Sequence, residues 1–231
     1  MKTTFTTHSK KGFTLIELLV VIAILATLAG ICSPMIMGAM ETARENTART
    51  TCSMIVEGVS RFYDDYKTLP FRVDEAEPTE ENNYQVSLST EVGQDAGMLA
   101  ILLNREDDDD NRMNINKDYY LRSDVQEKKA EGLYEDPSTG DLVGLYDPWG
   151  KPYYVLMCEE NSGCTDPFTG KKVRGKKCLV YSLGANGTGK APETIPTRKK
   201  GGKPNQQMTI EQEEAEEAIA DNIYSWKKVS K

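Results

Sequence analysis

From Phe13 to Met40 the chain carries a single charge, Glu17, among apolar and small polar residues. A run of that length crosses a bilayer as a helix, which takes about 20 residues. The run also holds a carboxylate near its head. An ion in hydrocarbon is costly, and one that is retained there by default has a function and a partner. The chain itself can supply a cation at that depth. Cutting after Gly12 would free an α-amino group on Phe13, and a neighbouring copy would carry that amine to Glu17. The arrangement points to a chain that assembles with copies of itself. Lys2, Lys10 and Lys11 precede the run. Basic residues ahead of an apolar span stay on the cytoplasmic side, so the remainder is expected to be exported.

Two other processing signals overlap this region. Leu28-Ala29-Gly30-Ile31-Cys32 is close to a lipoprotein cleavage box, although Ile31 is bulky where a small residue should precede the cysteine. Thr27-Leu28-Ala29 has the small residues of an ordinary signal-peptidase site. Both readings leave Glu17 unexplained inside the apolar core of a signal peptide.

The spacing predicts one helix from Phe13 to about Tyr66, reaching about 80 Å at 1.5 Å per residue. Pro34 is expected to kink it or loosen one turn, with Gly30 and Gly38 weakening the same stretch. Beyond Met40 the pattern becomes amphipathic. Cys52, Ile55, Val56, Val59, Phe62, Tyr63 and Tyr66 recur at steps suited to one helix face, predicted to pack on a sheet. Leu69-Pro70 should end the helix, because proline disfavours helical geometry in the residue before it. The expected organisation is a leader at 1–12, a membrane and assembly helix at 13–40, an amphipathic half at 41–69, and an exported headgroup at 70–231.

In the headgroup, 71–136 is acidic and short of long apolar runs, apart from a short docking helix expected at Ala96–Asn104. Glu106–Asp110 is read as a solvated acidic loop, since the glycine and closing glutamate of an EF-hand are missing. Strand signals start at Leu142 and recur at Tyr153–Cys158 and Cys178–Leu183, separated by loop-like sequence. Asp147–Pro152 is a turn fixed by two prolines and a glycine. A polar linker covers 191–207, an exposed glutamate-rich helix is expected at Thr209–Ala220, and the tail around Tyr224 and Trp226 is expected to pack back on the domain. The fold class is α+β, a long helix on a small antiparallel sheet.

The composition excludes several functions. The formal charge is −8, and loss of the three leader lysines would take it to −11. Such a surface argues against nucleic-acid binding and favours divalent cations or basic partners. His8 is the only histidine and lies in the leader, so the processed chain would have neither a Ser-His-Asp nor a Cys-His site, nor a His-ligated metal. No catalytic residue is expected. Cys158, Cys164 and Cys178 fall in the exported part, where disulfides persist. One disulfide is expected, with Cys158 and Cys178 facing across a hairpin and Cys164 the competing partner.

Gly12-Phe13-Thr14-Leu15-Ile16-Glu17 resembles the cleavage and methylation motif of type IV prepilins and of type II secretion pseudopilins. The resemblance implies cleavage after Gly12 by a prepilin peptidase, N-methylation of Phe13, and an assembly role for Glu17. It also matches the helix-kinking proline of the family to Pro34, twenty-one residues after Phe13. Tyr66-Lys67-Thr68-Leu69-Pro70, Asp147-Pro148-Trp149-Gly150, Tyr181-Ser182-Leu183-Gly184-Ala185-Asn186-Gly187 and Asp221-Asn222-Ile223, in that order, are similar to the major pseudopilin group. That implies a pilin-like fold in the bacterial inner membrane with a periplasmic headgroup, and a homopolymer that also meets other pseudopilins and an inner-membrane assembly platform. It further implies a Ca2+ site between the loop after the last strand and the tail, with Asp221 as an acidic ligand. Asn186 stands where the family more often has an aspartate. A type IV pilus subunit and a membrane-tethered binding domain that never polymerises are the competing readings.

Overall fold

The computed structural model describes residues 13–71, 85–91, 96–106, 112–158, 163–169, 171–188 and 222–225, with the side chains at 31–35, 85–87 and 96 outside that description. Gly12, the acidic run Asp107–Asp110, the helix expected at Thr209–Ala220, Asp221 and Trp226 lie outside the described residues. The chain divides into two units, Met1–Ala43 and Arg44–Lys231. Helix α1, Leu15–Tyr66, begins in the first and ends in the second.

In the first unit the backbone stays helical through Pro34. A proline removes one donor and crowds one turn, and this 52-residue helix continues past it without a break. Every described side chain from Phe13 to Gly30 and from Ile36 to Met40 is exposed. The large apolar ones range from 45% exposed at Val21 to 82% at Leu15.

In the second unit α1 has two faces. Ala48, Cys52, Ile55, Val59 and Phe62 are buried at alternating four- and three-residue steps, the stripe expected of a helix lying on a core. Val56 and Tyr66, which share the predicted stripe, are half-buried at its margin. The helix stops at Tyr66 because Lys67 adopts a left-handed conformation (φ 55°), its N–H donating to the Tyr63 carbonyl at 2.8 Å.

A four-stranded antiparallel sheet faces that stripe, in the order β1 (Gln85–Ser89), β5 (Tyr154–Cys158), β8 (Cys178–Ser182), β9 (Ile223–Tyr224). Val155, Met157, Cys178, Val180 and Ile223 join the cluster under α1. The alternate residues Leu156, Leu179, Tyr181 and Tyr224 form a second cluster with Phe168 on the opposite face, as the two-residue period of a strand requires. That face is covered by the hairpin of β6 (Cys164–Thr165) and β7 (Lys172–Val173). The expected docking helix is α2, Ala96–Leu102, with Met98, Leu99, Ile101 and Leu102 fully buried. A three-stranded sheet of β2 (Val125–Gln126), β3 (Gly132–Glu135) and β4 (Leu142–Tyr146) completes the headgroup. Thr90 links the two larger sheets: its hydroxyl donates to the Leu145 carbonyl (2.6 Å) and accepts from the Tyr153 N–H (2.9 Å).

The disulfide corrects the sequence reading. Cys158 is bonded to Cys164, with Cα atoms 5.2 Å apart, and not to Cys178. The register sets Met157, not Cys158, opposite Cys178. One step along a strand reverses the face, so Cys178 lies in the cluster under α1 while Cys158 and Cys164 share the other. The stretch read as loop between the two strands contains the β6–β7 hairpin, and it returns Cys164 to Cys158.

Candidate functional site

The N-terminal motif is built on the first turn of α1. Thr14 precedes the helix and Glu17 is its third residue. The Glu17 N–H donates to Thr14 Oγ1 (3.3 Å), while Glu17 Oε2 accepts from the Thr14 N–H (2.8 Å) and the Thr14 hydroxyl (2.7 Å). This is a reciprocal capping box, which satisfies backbone donors that the first turn leaves unpaired. The sequence reading assigned Glu17 to assembly and missed this second role, although Thr-x-x-Glu before an apolar run is its signature. The box also fixes where the carboxylate sits, at the helix start beside Phe13, which is 79% exposed. Oε1 accepts no hydrogen bond among the described residues, so it is open to a donor from outside.

A second constellation gathers three of the separated stretches that carried the family resemblance. Asp147 is fully buried. Its Oδ1 accepts from the N–H groups of Trp149 (3.0 Å) and Lys151 (2.8 Å), closing the turn, and its Oδ2 accepts from the Ser182 hydroxyl at 2.5 Å. Ser182 Oγ in turn accepts from the Gly184 N–H at 3.0 Å. On the other side of β8, Ser182 pairs with Ile223 of the tail. Burial pushes the Asp147 carboxyl above its ordinary range, against the opposing pull of the Ser182 hydroxyl and the turn N–H groups. Ser182 and Asp147 are both inaccessible, so the pair braces the turn against the sheet and presents no nucleophile to a substrate.

The residues expected to hold calcium are met only in part. Asn186 is exposed and its Oδ1 accepts from the Thr188 N–H at 2.7 Å, a local turn. The β8–β9 pairing brings the tail beside the strand that leads into this turn. Calcium takes six to eight oxygens, carboxylates among them. No group of three or more His, Cys, Asp or Glu that could hold a metal is present among the described residues. Asn186 contributes one neutral amide oxygen, and the fit therefore depends on Asp221.

The two free cysteines among the described side chains, Cys52 and Cys178, are chemically quiet. Burial raises the Cys52 thiol strongly and pushes the Cys178 thiol up to about 12. Both stay protonated near neutrality, whereas reactivity needs the thiolate.

Residues 7–33 match the family described as the prokaryotic N-terminal methylation motif, a type IV pilin-like prepilin signal. No curated protein and no solved structure matches the chain. Among the described residues no helix is long and apolar enough to cross a membrane.

Proposed function

We propose that this chain is a structural subunit of a pseudopilus fibre in type II protein secretion. The observation that carries the proposal is the methylation motif at 7–33, seated on a capped helix start whose carboxylate keeps one oxygen open. A prepilin peptidase cuts after Gly12, and Phe13 is then N-methylated. Before assembly the 13–40 segment holds the subunit in the inner membrane, with the leader cytoplasmic and the headgroup periplasmic. During assembly Glu17 pairs with the Phe13 amine of a neighbour, which offsets the cost of a charge in a low-dielectric core.

The exposure of this segment supports that reading. A helix that is apolar on all sides is stable only when covered, by lipid or by other helices. Ala23, Ala26, Ala29 and Gly30 would allow close approach between copies. The pseudopilin reading rests on the resemblance of the Asp147–Gly150, Tyr181–Gly187 and Asp221–Ile223 stretches, and a type IV pilus subunit is the alternative. The protein has no chemical step of its own in this scheme. Its partners are copies of itself, other pseudopilins, the assembly platform and the processing enzymes. Calcium binding by Asp221 and Asn186 belongs to the same proposal. A melting temperature raised by CaCl2 and insensitive to it in Asp221→Ala is expected, and an identical calcium response in both proteins would remove the site.

The deciding experiment is the N-terminal sequence and intact mass of the protein from its native membranes. An N-methylated Phe13 start is expected. A lipid-modified Cys32, a start at Gly30 or an intact Met1 would overturn the fibre reading.

A further inference from the structure

The turn after β8 carries a chemistry that neither the N-terminal motif nor the Asp147 brace uses. Asn186-Gly187 is the only Asn-Gly pair in the sequence. An asparagine side-chain amide can be attacked by the peptide nitrogen of the next residue, and a glycine there leaves that nitrogen unhindered by any side chain. Asn186 is exposed. Its Oδ1 accepts from the Thr188 N–H at 2.7 Å. This Asx turn folds the side-chain amide back over the peptide that follows it. The same N–H polarises the amide carbonyl and points at the oxygen on which negative charge would develop during an addition.

A cation stands beside the nucleophile. A Cβ on Gly187 (φ 66°) would lie 2.8 Å from Lys151 Cε and 3.4 Å from Lys151 Nζ. An ammonium so close favours the anion of the Gly187 peptide nitrogen. Lys151 is fixed in turn by Asp147. Its N–H donates to Asp147 Oδ1 and its carbonyl accepts from the Asp147 N–H, both at 2.8 Å. Ser182 bonds Asp147 and accepts from the Gly184 N–H, which ties the two turns together. The fold therefore holds nucleophile, electrophile, oxyanion donor and cation in one place, the condition under which an intramolecular step gains most.

We infer that Asn186 is a modification site, converted by water alone, through a cyclic imide with Gly187, into aspartate and isoaspartate. The Gly187 nitrogen gives its proton to hydroxide and bonds to Asn186 Cγ. The side-chain nitrogen takes up a proton and leaves as ammonia, which closes a succinimide ring. Water then opens the ring. Breaking the bond from Gly187 N to Cγ gives aspartate, and breaking the bond from Gly187 N to the Asn186 backbone carbonyl carbon gives isoaspartate. In sum, one amide and one water become one carboxylate and one ammonium ion, and nothing is oxidised or reduced. With age the turn passes from neutral to anionic beside Lys151. In the isoaspartate form the main chain also gains a methylene, which changes the path between the two turns.

This inference stands apart from the fibre reading. In the test, the purified full chain is aged at pH 6 and at pH 8. Its peptides are then mapped by mass spectrometry, with fragmentation that separates isoaspartate from aspartate. The Asn186 peptide should become acidic in both isomers while Asn46, Asn104 and Asn114 keep their amides. Conversion should be at least tenfold faster at pH 8, as a reaction of the deprotonated nitrogen requires. It should be at least threefold slower in Lys151→Met, which keeps a stem over Gly187 without the charge, and at least threefold slower in wild-type chain unfolded in urea. Asn186→Gln, which would have to close a larger ring, should stay an amide under the same conditions. An amide that survives at 186 in the aged wild type, aspartate without isoaspartate, or one rate shared by wild type, Lys151→Met and the unfolded chain would overturn the site.

Discussion

The two halves of α1 have comparable helical backbones and opposite fates. From Leu15 to Met40 every described side chain is exposed, and the apolar ones have no cover. From Ala48 to Phe62 one stripe is buried under a sheet and the remaining faces carry charge. The difference lies in where the covering surface comes from. The second half finds it in its own chain, and so its sequence needs only a stripe of apolar residues. On the proposed fibre reading, the first half is apolar all round because its cover would lie outside the chain, and the carboxylate at its head would select the partner. Stability should therefore be governed by the second half and assembly by the first.

The sharpest way to break this contrast is at Glu17. Glu17→Gln keeps an oxygen that can accept from Thr14 but loses the charge. If pairing between copies is the role of this residue, the variant should yield at least tenfold less sheared fibre, while the headgroup melts as before. Wild-type fibre yield from Glu17→Gln would reduce Glu17 to a helix cap. In the second half the largest effect is expected at Phe62, which is fully buried and packs against Tyr66 and Tyr120 with centroids at 4.6 and 5.2 Å. Phe62→Ala should cost about 3–5 kcal/mol in denaturant unfolding. Ile24→Ala, in the first half, should leave the same transition in place.

A smaller effect is expected at the staple on the far face of the sheet. Replacing Cys158 and Cys164 by serine should cost about 2 kcal/mol, the loop-closure value for so short a ring. Cys178→Ser should leave the bridge intact in a non-reducing peptide map, and a Cys158–Cys178 peptide in the wild type would contradict the register. The smallest effect is a pH dependence at Asp147. Burial raises its carboxyl above the unfolded value, so between the two values the folded state holds the proton that the unfolded chain releases. Its contribution to stability is complete below the ordinary aspartate range and is lost as pH rises through the raised value. Melts from pH 3 to 7 should show this decline in the wild type relative to Asp147→Asn, and parallel curves would count against it.

Some of this was legible in the residues and some was not. The long helix, the buried stripe and the α2 helix follow from periodicity, which needs no distant partner to be read. The pair β5 and β8 could be read from two β-prone runs, but their register could not. A one-residue offset decided which cysteine faced which, and no local signal carries that offset. Strand β1 was missed because Gln85–Ser89 is short and lies in an acidic stretch, and its place at the sheet edge comes from pairing with β5. The Asp147–Ser182 contact joins residues 35 positions apart, and each looks like an ordinary turn or strand residue alone. The Thr14–Glu17 cap is local and follows from the Thr-x-x-Glu pattern alone.

Thr90 gives these sheets a common fate. Its backbone and hydroxyl are bonded at once to Leu145 of one sheet and to Tyr153, the residue just before β5 of the other. Neither sheet can open at that corner without stranding buried donors and acceptors of its neighbour. The amides of β4 and β5 should then exchange with solvent at a single opening free energy, as one cooperative unit. A headgroup built this way offers a protease no half-open intermediate along this seam.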